Sequence, residues 1–249
     1  MEDLVQTICA KEGLAGREIQ ALSGGQVNQV YRIDREFVLR IGAREDAVQR
    51  LTRETNLLRS LENKIPVPKI LAFGRQAGSV YQIQQFLPGQ KLISVWKDLR
   101  PTAQEKLAAE LAACLKILHG LPLPSPGFVA QDGQGYPSWP DWIAGRFERS
   151  LADIRQLGIR MAPGFTEMAL SYFADNRQTL EDGAPALIHG DLTPANILVD
   201  RGRIAAILDF EYAMQAPADY ELWVMEAFCL YPNDWAEEMD ESYCTAEFA

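Results

Sequence analysis

Hydrophobic positions change their spacing along this chain, and the change divides it. Leu4, Val5, Ile8 and Cys9 fall on one side of a short amphipathic helix over residues 2–12. Alternation takes over in Val27-Asn28-Gln29-Val30-Tyr31-Arg32-Ile33, and the run Phe37-Val38-Leu39-Arg40-Ile41 follows the polar turn Asp34-Arg35-Glu36. That pattern predicts strands within residues 19–42, folded as a hairpin of at least two strands. Val48, Leu51, Leu58 and Leu61 return to helical spacing and predict a helix over 46–62. Ile65-Pro66-Val67-Pro68 cannot continue it, because a proline forces the residue before it into extended conformations. Strands are predicted at 70–73 and 80–86 around a turn at 74–78, and Pro88-Gly89 then punctuates the chain.

Beyond that point helical periods dominate. Leu107, Leu111, Cys114, Leu115 and Leu118 form one stripe of a helix over 102–119, ended by Gly120 and Pro122. Residues 121–140 are rich in proline and glycine and read as a long loop. Helices are predicted at 141–157 and 164–181, β runs at 186–188, 197–199 and 204–208, and a helix at about 219–230. The tail from 234 is acidic, with Asp234, Glu237, Glu238, Asp240 and Glu241. The expected architecture is α+β in two lobes, a β-rich lobe over residues 1–87 and a mainly helical one over 88–249. The cleft between such lobes is a natural ligand site.

Composition narrows the function. The chain has 249 residues, 47% apolar and 23% charged, as expected of a soluble globular protein. No apolar run approaches the ~20 residues that span a bilayer. Met1-Glu2-Asp3 is acidic where a signal peptide is basic, so a cytoplasmic protein is expected. The four cysteines form no C-x-x-C pair, and the two histidines, His119 and His189, lie far apart, which argues against zinc or redox chemistry. A formal net charge of −10 should repel nucleic acid and anionic membranes. It would attract a cationic small molecule, or serve solubility alone.

The candidate chemistry lies in Leu187-Ile188-His189-Gly190-Asp191-Leu192-Thr193-Pro194-Ala195-Asn196-Ile197-Leu198-Val199-Asp200, followed by Ala205-Ala206-Ile207-Leu208-Asp209-Phe210-Glu211. This is H-x-D-x-x-x-x-N, an apolar strand, then D-F. Phosphoryl transfer needs a carboxylate at the acceptor hydroxyl and ligands for magnesium on the phosphates. A loop with Asp191 and Asn196 can present one to the acceptor and the other to the metal. Pairing of the strand after Asn196 with the strand before Asp209 brings the second carboxylate back beside the amide. Each residue alone would read as an ordinary turn residue; the whole pattern is far more specific.

Here the chain resembles the aminoglycoside phosphotransferase family, small-molecule kinases with a protein-kinase-like fold, over roughly residues 15–230. The resemblance implies that Asp191 is the catalytic base or orients the acceptor, that Asn196 and Asp209 bind Mg²⁺, and that His189 braces the loop. The base assignment also follows from proximity, since of these residues only Asp191 has no metal role. The kinase template further needs a cation on the nucleotide phosphates, held by a helix glutamate. Arg40 and Glu54 occupy those places, with Arg where many kinases have Lys, a larger cation that binds phosphate as a fork. A surface ion pair worth little is the alternative, and the strand–helix order that the kinase template requires favours the functional reading. Residues 23–28 stand where a phosphate-covering loop would lie, with Ser23, Gly25 and Asn28 as nucleotide contacts; a plain hairpin turn explains them equally. The backbone around Gln85 and Leu87 would meet the purine of ATP or GTP, as the family's hinge does.

The expected partner is a small-molecule hydroxyl acceptor, an aminoglycoside-like antibiotic first. Glu221, Glu226 and the acidic tail are candidates to bind its ammonium groups. A macrolide, homoserine, choline or a sugar remains open, as does a nucleotide-binding pseudokinase or a protein-binding adaptor. Tyr136, Trp139 and Trp142 line either a substrate pocket or a core. His119 is expected to cap or pack, and Asp219 to cap or brace the helix near it. The resemblance implies further helices that complete the acceptor site, so the chain ending at Ala249 reads as a compact member or a shortened one. Gly190 replaces the arginine that reads activation-loop phosphate in regulated kinases, Glu211 replaces the glycine after Asp209-Phe210, and no A-P-E follows. Generic protein substrates are therefore expected to be phosphorylated far more slowly than small molecules; comparable rates in a radiolabel transfer assay would contradict this.

Overall fold

The computed structural model describes residues 2–22, 29–42, 45–130, 132–180 and 183–230. The predicted phosphate-covering loop, residues 23–28, and the acidic tail lie outside the described residues.

Helix α1 (Glu2–Lys11) packs Val5, Ile8 and Cys9 against one face of an antiparallel sheet. The sheet contains β1 (Ile19–Leu22), β2 (Gln29–Ile33), β3 (Phe37–Gly42), β4 (Ile70–Gln76) and β5 (Ser79–Gln85), in the order β1-β2-β3-β5-β4. Between β3 and β4 runs α2 (Glu45–Leu61). Strand β5 is buried on both sides, and its alternation sorts two chemistries. Tyr81 and Ile83 join the apolar cluster under α1. Gln82, on the other face, donates from Nε2 to Thr55 Oγ1 of α2 at 2.7 Å.

Strand β4 runs through Gly74 to Gln76, longer than expected, because the turn is only Ala77-Gly78. Both residues have positive φ, 48° and 81°, the geometry that matches the twist of a two-residue hairpin. Gly74 is therefore a strand residue, paired with Tyr81. A Cβ at Gly74 would run into the Tyr81 hydroxyl and ring. That ring is 1% exposed, its hydroxyl donates to Glu12, and Lys11 Nζ lies 5.1 Å from its centroid. The missing side chain at 74 thus lets one tyrosine fasten the end of α1 to the sheet.

The second part begins with β6 (Gln90–Lys91), α3 (Leu92–Val95) and α4 (Pro101–His119). The α4 stripe is as expected: Leu107, Leu111, Leu115 and Leu118 are buried. Leu58 and Leu61 from the end of α2 join them in one cluster, which roots α2 in the helical part. The stretch read as a long loop holds a small hairpin, β7 (Phe128–Val129) and β8 (Gly135–Tyr136). Next come α5 (Trp139–Gln156), capped by Ser138, whose Oγ accepts from Asp141 N at 3.2 Å, and α6 (Phe165–Asn176).

Strands β9 (Pro185–Ile188), β10 (Ile197–Asp200) and β11 (Arg203–Ile207) lie where expected, followed by an unforeseen β12 (Met214–Pro217) and α7 (Ala218–Leu230). Strand β12 bridges β7 and β9, giving a sheet β8-β7-β12-β9, while β6 extends the β10–β11 hairpin. Cys9 and Cys114 are free thiols. Among the described residues no helix is long and apolar enough to cross a membrane.

Replacing Gly74 with Val should overpack the Tyr81 site and lower unfolding stability by about 1–3 kcal/mol in a urea titration, without displacing the second part of the chain.

Candidate active site

Strand β9 ends at Ile188, and the next residues are held by side chains. The N–H groups of His189 and Gly190 donate to the two Glu221 carboxylate oxygens, at 2.5 and 3.1 Å. Glu221 sits in the first turn of α7 and is 0% exposed, where a negative charge also meets the positive end of the helix dipole. The expectation that Glu221 binds an acceptor ammonium is therefore wrong: its carboxylate is sealed in and committed to the loop. Asp219, expected to brace, is exposed in the same turn. His119 Nε2 lies 3.7 Å from Glu221 Oε2, so it packs behind the loop.

His189 braces the loop as expected. Its Nδ1 accepts from Asp191 N at 3.2 Å, which leaves Nε2 as the donor toward Leu208 O at 2.7 Å. Gly190 has φ +79°, and a Cβ there would collide with the Tyr212 carbonyl. Glycine at this position thus has a backbone reason beyond the missing arginine.

Asn196 Nδ2 donates to Asp191 O at 2.9 Å and to Asp191 Oδ2 at 3.1 Å. Its own carbonyl accepts from Leu208 N at 2.8 Å, and Ile197 pairs with Ile207 across β10–β11. The hairpin thus returns Asp209 to the neighbourhood of Asn196. Burial pushes the Asp191 carboxyl above its ordinary pKa; His189 and Asn196 pull it back, while Asp209 adds to the rise. Asp209 has φ +63°, a left-handed conformation that aspartate tolerates better than most residues.

Arg40, in the middle of β3, is 8% exposed. Its Nη1 donates to both Glu54 oxygens at 2.6 and 2.7 Å, and its Nη2 donates to Asp209 Oδ1 at 3.1 Å and lies 3.6 Å from Glu211 Oε2. The expected Arg40–Glu54 pair is formed and is no surface pair. Glu54 Oε1 also accepts from Phe210 N at 3.2 Å. Burial alone would lower the Arg40 pKa, but Glu54, Asp209 and Glu211 together hold it above its ordinary value. Sequence reasoning missed Glu211 as part of this cluster, although its place two residues after Asp209 was the available signal. Burial first, then the Asp209 charge, raises its pKa to about 7.

The Asn196 side-chain oxygen and the Asp209 carboxylate are hard oxygen donors of the kind magnesium takes alongside phosphate and water, so this pair fits that ion. At the predicted purine site, Gln85 is exposed and its N–H is committed to Lys69 O at 2.9 Å, while Phe86 N donates to Glu36 O at 2.7 Å. Leu87 is half-buried, with no recorded partner for its N–H among the described residues. A broad cavity of about 450 Å³ is lined by Gln85 and Phe86 together with Arg35 and Lys69, and neither Arg40 nor Asp209 belongs to its lining. A small one of about 80 Å³ borders Gly190. Trp139 and Trp142 are core, each 5% exposed and stacked at 4.4 Å. Glu226 is exposed. Ser23, Gly25, Asn28 and the tail acids lie outside the described residues.

This fold recurs in solved kinases of small molecules. Aminoglycoside phosphotransferase APH(4)-Ia superposes with a TM-score of 0.67 at 22% identity, covering 89% of this chain and 75% of that one. A gentamicin complex of APH(2'')-IIa gives 0.72 at 18% identity, covering 89% and 73%. The model of the phosphotransferase enzyme family matches residues 18–248, and the chain belongs to that family. A homoserine kinase of Rhizobium meliloti (strain 1021) is 27% identical over 190 residues, 74% of this chain and 51% of its own length. The hygromycin-B 4-O-kinase of Escherichia coli is 26% identical over 222 residues, 82% of this chain and 60% of its own. The aminoglycoside 3'-phosphotransferase of Streptomyces fradiae is 26% identical over 204 residues, 80% of this chain and 70% of its own. The chain thus spans between about half and seven-tenths of the relatives it matches.

Because the Glu211 pKa is raised on folding to about 7, its contribution to stability is full below its ordinary pKa of 4.5 and is lost as pH rises through about 7. Glu211→Gln should therefore raise the melting temperature relative to wild type at pH 8 but not at pH 5, in melts without nucleotide or metal. An equal effect at both pH values would show that Glu211 does not titrate in this window.

Proposed function

We propose that this chain is a magnesium-dependent phosphotransferase that moves the γ-phosphoryl group of ATP or GTP to a hydroxyl of a small molecule, an aminoglycoside-like antibiotic first among them. The observation that carries the reading is the bond from Asn196 Nδ2 to Asp191 Oδ2 at 3.1 Å, in a loop whose return hairpin leads into Asp209. Family membership and the kinase names of the relatives support it.

In this reading residues 1–87 hold the nucleotide and residues 88–249 the acceptor. Leu87 offers its N–H to the purine, and residues 23–28 cover the phosphates. Arg40 stays anchored to Glu54 through Nη1 and turns Nη2 from Asp209 and Glu211 toward the phosphates. Magnesium, when bound, supplies charge neutralisation on the phosphate oxygens. Asn196 and Asp209 are the residues that would hold it. Asp191 takes the hydroxyl proton as the acceptor oxygen bonds to the γ-phosphorus, the bond to the β-phosphate oxygen breaks, and ADP or GDP leaves. Burial of the Asp191 carboxylate makes it a better proton acceptor than one in water. Dependence on a nucleoside triphosphate suits a cytoplasmic protein.

The test is turnover of ATP and of GTP against a panel of aminoglycosides, a macrolide, homoserine, choline and sugars. Asp191→Asn should lower kcat by about 10²–10⁴-fold while nucleotide affinity, read by calorimetry, is kept. Turnover surviving intact in that variant would remove Asp191 from the mechanism, and activity confined to uncharged acceptors would remove the aminoglycoside assignment.

A further inference from the structure

The loop that carries the candidate base is held from one side by groups already described. Glu221 takes the Gly190 N–H, His189 takes the Asp191 N–H, and Asn196 holds the Asp191 carboxylate. Tyr212 occupies the other side of Gly190. Strand β12 pairs Met214 with Ile188 of β9, and two residues further along the same register Tyr212 stands opposite Gly190. Gly190 lacks the Cβ that would strike the Tyr212 carbonyl, so the two backbones lie against each other. The position of Tyr212 therefore limits how far Gly190, and Asp191 after it, can move away from Glu221.

Tyr212 closes the short helical turn Phe210–Tyr212. Its ring is met from α2: the Arg50 guanidinium lies 5.1 Å from the ring centroid, inside the roughly 6 Å over which a cation gains from an aromatic face. Arg50 Nη1 is buried and has no hydrogen-bond partner among the described residues. A buried donor without an acceptor is costly, and a methionine could fill similar space with nothing to satisfy. A like charge opposes Arg50 as well. Burial lowers the Arg53 pKa and Arg50 lowers it further, against Asp132. A cation that hydrogen bonds do not reward and a neighbouring cation repels has the Tyr212 face as its gain. The same turn feels it on a second side, at Glu211, where burial and Asp209 raise the pKa and Arg50 opposes them less than Arg40 does.

We infer that Arg50 is a positioning residue for phosphoryl transfer: its guanidinium pins the Tyr212 ring, Tyr212 backs Gly190, and Gly190 keeps Asp191 in place for the acceptor. The role rests on the phosphotransferase reading; the hold on the loop does not. Arg50 belongs to the part of the chain assigned to the nucleotide and Asp191 to the part assigned to the acceptor. One cation–ring contact thus ties the placement of the base to the opposite part. Arg50 touches no substrate in this scheme, so its loss falls on kcat and spares ATP binding.

A double-mutant cycle tests this. Arg50→Met and Tyr212→Leu should each lower kcat about three- to tenfold, with the KM for ATP unmoved, and the double variant should fall no further than the worse single one. Arg50→Lys, which keeps a cation, and Tyr212→Phe, which keeps the ring, should each lose less than the methionine and leucine variants. Arg50→Gln replaces Arg50→Met if the latter does not fold. Multiplying losses in the double variant, equal losses in the conservative and apolar variants, or a raised KM for ATP with kcat kept would each overturn the inference. The second arm needs no turnover. Hydrogen exchange of the segment Ile188–Leu192, followed by mass spectrometry on the free protein, should quicken in Arg50→Met and Tyr212→Leu and change less in Tyr212→Phe. Unaltered protection in Arg50→Met overturns the inference. If wild type turns over no acceptor, the phosphotransferase reading fails, and the exchange rates still decide whether Arg50 holds the loop.

Discussion

The Glu221 carboxylate takes the backbone N–H groups of His189 and Gly190, and the geometry of the loop follows from that capture. Two buried donors past the end of β9 need an acceptor, and a charged one makes stronger, shorter bonds than a neutral one. With those groups fixed, the His189 ring is set to bridge the Asp191 N–H and the Leu208 carbonyl. Asn196 closes the same circuit from the other side by holding the Asp191 carboxylate and pairing its backbone with Leu208. A carboxylate that touches no ligand thus orders the loop and the turn that carries Asp209.

Arg40 organises the opposite wall. One guanidinium faces Glu54, Asp209 and Glu211, an excess of negative charge in a partly buried space. Such a cluster is tolerable only near a further cation or with a proton taken up, and the raised pKa of Glu211 is the protein's answer to the second condition. Arginine rather than lysine matters here, because its fork can keep both oxygens of Glu54 on one nitrogen while the other nitrogen addresses a different acid.

Much of this was legible in the sequence, for physical reasons. The α4 stripe and the strands flanking the motif carry strong periods, and the hairpin after Asn196 follows from two apolar runs around a short turn. What was not legible depends on partners distant in the chain. Strand β12 is four residues with a terminal proline, too short for alternation to mark it, and it exists because β7 and β9 flank it. Glu221 looks like a solvent-facing acid in the first turn of a helix; only the close approach of β9 buries it. Gln82, in a strand that also carries Gln84 and Gln85, looks like a surface position until α2 covers it with Thr55. Gly74 reads as a turn glycine until Tyr81 is seen to need its space.

Helix α2 is held along its length. Glu54 grips Arg40 with both oxygens and Phe210 N with one of them, and Leu58 and Leu61 sit in the core shared with α4. In protein kinases the placement of the corresponding helix is a control point. To tilt, α2 would have to loosen its grip on Arg40, on Phe210 N and on the helical core, so its pose is coupled to all three.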